Sequence, residues 1–179
     1  MRKLLIACSF GLVFAAPAQA ADVDWKMYGT ASIDGGVVCF YEGKGIIARA
    51  PSILRVWTKC LLQKDLDAVD MGSEVGKKIV ESAARKMGNI YVPLIAVAED
   101  IDFDQAIGVV TYEETANLSN IQSHSRFFYE LNCSERMMRR LSTQVRVNGK
   151  ERFSDKPSDW EHVSPESNAA RLLKILCRQ

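Results

Sequence analysis

The sequence predicts an α+β fold, in which an antiparallel sheet is combined with helices in the middle of the chain and at its C-terminal end. Apolar and polar residues alternate over 53–62, 127–133 and 141–147, which is the two-residue period of strands with one buried face. Over 73–87 and 165–177 the apolar residues recur every three to four positions, which is typical of helices packed on one side. These patterns predict a single sheet-and-helix domain.

The first twenty residues carry the pattern of a cleavable export signal. Arg2 and Lys3 precede a short apolar run, and Ala18-Gln19-Ala20 has small residues at the spacing that a signal peptidase recognises. The run is shorter than the roughly 20 residues that a membrane-spanning helix needs, and no later stretch is apolar over that length. We therefore expect cleavage after Ala20 and an exported domain over 21–179, periplasmic or at the cell surface, without a transmembrane segment.

With the signal removed, the chain is close to electrically neutral. The full sequence holds 23 basic and 22 acidic residues, and Arg2 and Lys3 leave with the signal, so 21 basic and 22 acidic residues remain. A chain without a basic surplus lacks the cations that neutralise nucleic-acid phosphates. We therefore expect no nucleic-acid partner.

Cysteine usage also favours an oxidising compartment. Cys8 lies in the predicted signal, where Leu5-Ile6-Ala7-Cys8 matches a lipid-attachment pattern but follows too few apolar residues for an export signal. The even number that remains favours two disulfides. A metal site is the weaker alternative, because no Cys-x-x-Cys pair occurs and His124 and His162 are not spaced as ligands. The four remaining cysteines are Cys39, Cys60, Cys133 and Cys177.

The N-terminal part of the domain is predicted to form three strands. The first two, at 25–28 and 37–41, are separated by the turn-forming Asp34-Gly35-Gly36. The third covers 53–62. Its alternation places Leu54, Val56, Thr58, Cys60 and Leu62 on one face of the sheet and Arg55, Trp57 and Lys59 on the other.

An insertion over about 63–124 is predicted between the third and fourth strands, and it contains a helix. Ser73 is a suitable cap for this helix, which ends at Gly88-Asn89. Pro93 then limits 90–98 to an edge strand or an irregular segment. One side of the helix carries Val75, Ile79, Ala83 and Met87.

Acidic residues follow with the opening spacing of a calcium-binding loop but without its other requirements. Asp100, Asp102 and Asp104 alternate. Gln105 stands where a glycine allows the turn, and Thr111 stands where a bidentate glutamate closes the ligand shell. We therefore predict a solvated acidic loop and no metal or other cofactor.

The C-terminal third is predicted to return to strands and to end in a helix. Antiparallel strands are expected at 127–133 and 141–147, with a turn at Asn148-Gly149 and a short strand at 160–163. Ser164 and Pro165 suit the cap and the first position of the final helix. Ala170, Leu173 and Cys177 share one face of it, which we expect to pack on the sheet.

Several motifs occur together in this chain. They are Phe128-Tyr129-Glu130-Leu131-Asn132-Cys133, the basic Arg136, Arg139 and Arg140 before a strand, Val147-Asn148-Gly149-Lys150, Trp160-Glu161-His162-Val163-Ser164-Pro165-Glu166-Ser167 ahead of a helix ending in Cys177, and in the earlier strands Phe40-Tyr41 and Arg55-Val56-Trp57-Thr58-Lys59. In this combination the chain resembles the surface-adhesin protein E family of small exported bacterial proteins, over roughly the first and last thirds of the mature chain. It departs from that family between Leu62 and Ser125, where the family commonly has a much shorter link.

The resemblance implies an antiparallel sheet of about six strands, with the C-terminal helix held on one face by a disulfide. It implies a bond between Cys133 and Cys177, which leaves Cys39 and Cys60 as the second pair. The family is named for an adhesin that binds host extracellular-matrix and serum proteins. Since a fold does not carry a function by itself, no binding segment is transferred to this chain.

Chemical motifs favour a binding protein over an enzyme. The sequence has no Gly-x-Ser-x-Gly elbow, no His-Glu-x-x-His helix and no glycine-rich phosphate loop, and paired cysteines leave no thiolate. We therefore expect a non-enzymatic, adhesin-like protein that recognises a host or cell-envelope macromolecule, with no catalytic residues. The alternative is a periplasmic carrier or sensor of a small ligand. Arg136, Arg139, Arg140 and Arg146 are candidates for an anion-binding patch, although a solvated strand edge is the simpler interpretation.

Overall fold

The computed structural model describes residues 23–32, 36–88, 102–147 and 149–177. The predicted export signal, the 90–98 stretch and Asn148 of the predicted turn lie outside the described residues. In the described ranges an antiparallel sheet is combined with helices, which confirms the predicted α+β fold class.

The sheet has eight antiparallel strands in its described part. In chain order they are β1 (Trp25–Ala31), β2 (Val37–Glu42), β3 (Ile47–Ala50), β4 (Ile53–Leu62), β5 (His124–Asn132), β6 (Met137–Val147), β7 (Lys150–Ser154) and β8 (Glu161–His162). Six of them form the order β1-β2-β4-β5-β6-β7, while β3 pairs with the first residues of β4 and β8 with the first residues of β6. The sheet therefore runs from an edge at β1 to an edge at β7.

Helices lie on both faces of this sheet. They are α1 (Gln63–Asp67), α2 (Glu74–Met87), α3 (Phe103–Leu118) and α4 (Asn168–Leu176). On the face that we call the α4 face, Val56 and Leu131 of the sheet are buried against Leu172 and Leu173 of α4. The opposite face, the α3 face, buries Trp25, Val38, Phe40 and Leu61 against Ala116 of α3.

The described residues of the insertion between β4 and β5 hold three helices, the short α1 and the longer α2 and α3, where one helix was predicted. As predicted, α2 is capped by Ser73, whose side chain accepts a hydrogen bond from the Gly76 N–H, but Val75 is exposed and does not share the buried side. The predicted acidic loop is wrong from Asp102 onward, because Asp102 caps α3 by accepting a hydrogen bond from the Gln105 N–H. Asp102, which has the spacing of a calcium-loop ligand in the sequence, therefore serves as a helix cap.

The final helix starts later than Ser164 and Pro165 predict. Ser167 is its cap and accepts a hydrogen bond from the Ala170 N–H, so Pro165 lies in the preceding turn. Ala170 and Leu173 are buried as expected. The inward face of the helix is therefore predicted correctly and its first residue is not.

Two disulfides join parts of the chain that are distant in sequence. Cys39 of β2 is bonded to Cys60 of β4, where the two residues lie opposite each other with Cα atoms 4.2 Å apart. Cys133, which follows β5, is bonded to Cys177 at the end of α4. These are the two pairs that the family resemblance implies, and the second one fixes α4 on its face of the sheet.

Candidate binding surface

Beyond the contact with α3, the α3 face carries half-buried aromatic rings and arginines on β4, β5 and β6. The register pairs Trp57 with Phe128 and Phe128 with Ser142, so alternate residues of these three strands point to the same side. Trp160, ahead of β8, adds a third ring, because the Arg139 guanidinium lies 4.7 Å from its centre. We call this set the aromatic–arginine surface: Trp57, Arg126, Phe128, Arg139 and Trp160.

Stacking holds the centre of the aromatic–arginine surface in place. The rings of Trp57 and Phe128 are 4.8 Å apart between centroids and are inclined by 21°, a stacked arrangement that stabilises neighbouring aromatics. The Arg126 guanidinium carbon lies 5.2 Å from the Trp57 ring centre and 5.4 Å from that of Trp25. At these distances the cation is attracted to the electron-rich ring faces.

A buried carboxylate organises the neighbouring arginines. Glu130 is 4% exposed and accepts a hydrogen bond of 2.6 Å from Arg55 Nε and one of 2.7 Å from Arg139 Nε. Burial acts to raise the pKa of Glu130, but the hydrogen bonds and charges of the two arginines outweigh burial and hold this pKa below its ordinary value. The pair of arginines is thereby neutralised in part and fixed in orientation.

A second group of cations on the same face has no carboxylate within 4.0 Å among the described residues. It consists of Lys59, Arg126 and Arg146. In the register Lys59 is opposite Arg126 and Arg146 is opposite His124, which lies two residues before Arg126 on β5. Burial, together with the charge of Arg126, lowers the pKa of Lys59 to about 7. Burial also lowers the pKa of His124, and the charges of Lys59, Arg126 and Arg146 add to that effect.

The two edges of the sheet differ in how they are protected. At β1, the N–H of Trp25 donates to Asn117 Oδ1 and the N–H of Met27 donates to Glu113 Oε1, so α3 satisfies backbone donors of this edge. At the other edge, β7 pairs only with β6 in the described part of the chain, and all five of its residues are exposed. Phe153, on the side of the aromatic–arginine surface, is 66% exposed.

A cavity of about 620 Å³ beside the Cys133–Cys177 disulfide is a competing site. Arg136, Arg171 and Lys174 line it, but each of the three is exposed. Exposed cations are well hydrated and gain little from meeting an anion. The aromatic–arginine surface is the stronger candidate because its cations are half-buried against rings.

The structure does not assemble the four arginines of the predicted anion-binding patch. Arg139 is bound to Glu130, whereas Arg140 pairs with Tyr129 in the register and therefore lies on the α4 face. Arg136 lies in the turn before β6, with a positive φ of 54°. Of these four arginines, only Arg146 belongs to the cation group around His124. Arg126 of that group was not predicted, although the alternation of polar residues in 124–130 could have indicated that it shares a face with His124.

The two histidines lie in different surroundings in the described residues. His124 Nδ1 lies 3.3 Å from the carbonyl oxygen of Ile121, and His162 is exposed on β8. Within the ranges that the structure describes, no group of three or more His, Cys, Asp or Glu residues is placed to hold a metal ion. None of the described helices has the length and apolar character that a membrane crossing requires.

Comparisons of this chain with models of known protein families, with curated proteins and with solved structures give no significant match. The site is therefore interpreted from its own geometry.

Proposed function

We propose that this chain is an exported, non-enzymatic binding protein that recognises an acidic polypeptide segment of a host or cell-envelope protein. The observation that carries the proposal is the aromatic–arginine surface, in which stacked rings lie beside cations on an incompletely covered sheet face. Aromatic residues and arginine are the residue types most enriched at the energetic centres of protein interfaces.

Charge favours an acidic partner. Four arginines point to the α3 face from β4, β5 and β6, namely Arg55, Arg126, Arg139 and Arg146. On β5 and β7 two carboxylates accompany them: Glu130 is held by arginines, and Glu151 accepts a hydrogen bond from Gln144. The carboxylates of α3, Glu113 and Glu114, are bound by the Met27 N–H and by Lys86. A positive face meets a negative segment favourably and accelerates their encounter.

The neighbouring edge favours a polypeptide over a small molecule. An extended segment can add to an open strand edge through main-chain hydrogen bonds while its alternate side chains reach the adjoining surface. The strand β7 offers this edge, and Phe153 and Glu151 lie on the side that continues into the aromatic–arginine surface. A segment bound along β7 would therefore bring its acidic side chains toward Arg146 of β6, the strand next to β7.

Export is supported by the signal pattern at 1–20 and by the disulfides. Disulfides persist in the periplasm and outside the cell, whereas the cytosol keeps most thiols reduced. The resemblance to the surface-adhesin protein E family supports the same placement. Cellular fractionation checks it: the proposal requires a chain that begins at Ala21 outside the cytoplasm, and full-length chain found only in the cytoplasm contradicts it.

Intrinsic fluorescence tests the binding surface directly. The three tryptophans of the sequence, Trp25, Trp57 and Trp160, all belong to the α3 side of the sheet. We propose to titrate the protein with a strand-forming peptide of alternating Glu and Val, and with the same peptide carrying Gln in place of Glu. We expect a saturable change with the Glu peptide, weakened by salt, and at least a tenfold lower affinity for the Gln peptide.

Surface variants make the test specific. Trp57→Ala and Arg126→Gln should each weaken binding of the Glu peptide by about tenfold or more, since each removes a half-buried contact. The matched control is Arg171→Gln, which removes an exposed cation from α4. Equal binding of both peptides, or equal losses in all three variants, contradicts the proposal. A response to acetate without any response to the peptide favours the small-ligand carrier instead.

A further inference from the structure

A small cavity lies where the C-terminal end of α3 meets β1, β4 and β5. Its volume is about 180 Å³, and its polar lining comes from Lys59, Ser119, Asn120, His124 and Arg126, with the Trp25 ring beside them. This volume corresponds to about six water molecules at the density of the liquid. The cavity is thus sized for a few heavy atoms and not for the larger ligands that fill most binding pockets.

Lys59 has one hydrogen bond and two remaining N–H donors in this cavity. Its Nζ donates to the carbonyl oxygen of Ala116 at 2.7 Å, which satisfies one of the last carbonyl groups of α3. The negative end of the helix favours a cation there. Helix capping therefore explains why a lysine is tolerated at this position.

Capping does not explain the cations that surround Lys59. Arg126 lies opposite Lys59 in the register, and its Nε is buried without a hydrogen-bond partner among the described residues. Arg146, opposite His124, also has a buried Nε without a partner in the described part of the chain. Buried donors of this kind cost free energy unless an acceptor is supplied.

We propose that this cavity is a binding site for one oxyanion group, either a carboxylate or a phosphate, held by Lys59 and Arg126. The anion accepts hydrogen bonds from the free donors of Lys59 and from the Arg126 guanidinium, with the Asn120 amide as a neutral donor. It also neutralises two like charges that face each other. This site adjoins the peptide surface of the proposed function and shares Arg126 with it, but Lys59 belongs to the cavity alone. The site is occupied whether or not a partner protein binds.

Protonation of Lys59 should strengthen binding of the anion at this site. The charged groups nearest Lys59 are Arg126 and His124 of β5, and Arg146 of β6 lies opposite His124. Glu113 of α3 does not neutralise them, because its carboxylate is bound by the Met27 N–H and by Lys26. Without an anion, Lys59 loses its proton near pH 7. Because the anion binds the protonated form, its affinity is greatest below pH 7 and falls by up to about tenfold per pH unit above it.

The two histidines give this proposal an internal control. His124 lines the cavity, and His162 lies exposed on β8. We propose to follow both imidazole signals by NMR during pH titrations in chloride, in acetate and in inorganic phosphate at constant ionic strength. Binding places a negative charge beside His124, so the pKa of His124 should be higher in acetate or phosphate than in chloride, and the His162 signal serves as the reference.

Variants and calorimetry complete the test. We expect saturable heat with acetate or phosphate at pH 6, at least a tenfold loss of affinity in Lys59→Met and in Arg126→Gln, and no change in Lys174→Gln on α4. If Lys59→Met does not fold, Arg126→Gln and the His124 titration still decide. Equal shifts of both histidines, or heats that persist unchanged in both cavity variants, overturn the proposal. Binding of acetate but not phosphate assigns the site to carboxylates, and the reverse result assigns it to phosphate.

The proposed function and this site fail separately. Trp57→Ala removes a ring of the peptide surface that does not line the cavity, so it should weaken peptide binding by about tenfold or more and leave the His124 shift with acetate intact. Lys59→Met should do the opposite. Peptide binding lost in both variants, with no anion effect at His124, leaves the proposed function standing and contradicts the anion site.

Discussion

The two faces of the sheet are covered in different ways. On the α4 face, apolar residues of the strands meet apolar residues of one helix, and the Cys133–Cys177 disulfide ties that helix to the sheet. On the α3 face, the helix packs toward β1, and the remaining strands carry rings, arginines and a lysine whose pKa is lowered to about 7. Both faces bury apolar residues, but on the α3 face this core lies toward β1, β2 and the end of β4, so the rest of that face is able to hold charges that a partner or an anion can satisfy.

The edges of the sheet repeat this difference. The edge at β1 has its backbone donors bound by side chains of α3, whereas the edge at β7 is exposed. Lys150 and Arg152 on β7 discourage pairing with arbitrary strands, because charged edge residues oppose aggregation. Both point to the α4 side of β7, because they pair with Val147 and Val145 in the register, and so they lie away from the side on which a bound segment would present its acidic residues.

The largest expected effect comes from removing the covalent link of the α4 face. The double variant Cys133→Ala/Cys177→Ala should lower the free energy of unfolding by about 4 kcal/mol, because the bond closes a loop with a sequence separation of 44. Urea unfolding followed by circular dichroism measures the change. A loss below about 1 kcal/mol would show that packing alone holds α4 on the sheet and that the disulfide does not distinguish the two faces.

Breaking the carboxylate centre of the α3 face should have the next largest effect. Glu130→Gln leaves Arg55 and Arg139 without their shared charge and should lower the free energy of unfolding by about 3 kcal/mol. The folded-state pKa of Glu130 lies below its unfolded value, so this contribution is present above the unfolded pKa and is lost as pH falls through the folded one. Wild-type and Glu130→Gln stabilities should therefore converge in acid, with the exposed Glu151→Gln as the control.

A smaller effect is expected from Lys59 of the α3 face, which should make the free energy of unfolding depend on pH when no oxyanion is added. Lys59 releases its proton near pH 7 when folded and near pH 10.5 when unfolded, so the unfolded chain binds more protons between these values. The free energy of unfolding should therefore rise with pH above 7, by at most about 1.4 kcal/mol per pH unit. Urea titrations across this range should show the slope in the wild type and in Lys174→Gln but not in Lys59→Met. The same slope in all three proteins contradicts the burial of a charged Lys59.

The smallest expected effect on stability is at the open edge. Phe153→Ser should change the free energy of unfolding by less than about 0.5 kcal/mol, because the ring is largely exposed. It should nevertheless weaken binding of the Glu/Val peptide severalfold if β7 contributes to recognition. Unchanged peptide affinity would restrict the binding surface to the rings and arginines of β4 and β5.

The sequence specified the strands with one buried face and both helices with a clear apolar side. It did not predict α3, because the buried side of this helix includes Glu113 and Glu114, which are bound by the Met27 N–H and by Lys86. Buried carboxylates hide a helix from a search for apolar periodicity. The strands β3 and β7 were missed for a related reason: all of their residues are exposed, so they lack an apolar alternation.

The candidate site was predictable only in part. Alternation placed Arg55, Trp57 and Lys59 on one face of a strand, and the register confirms that Trp57 meets a ring of the next strand. The approach of Arg126 to both Trp25 and Trp57 depends on which strands are neighbours across the insertion. Local patterns carry no information on that long-range pairing, so the cation group around His124 could not be predicted from the sequence without the fold.

Chemical-shift mapping of backbone amides during a titration with the Glu/Val peptide tests the division between the faces most directly. We predict shifts that saturate together at Trp57, Arg126 and Phe128 and along β7, with α4 unchanged. Shifts concentrated on Arg171 and Lys174 of α4, beside the Cys133–Cys177 disulfide, would place recognition on the opposite face and contradict it.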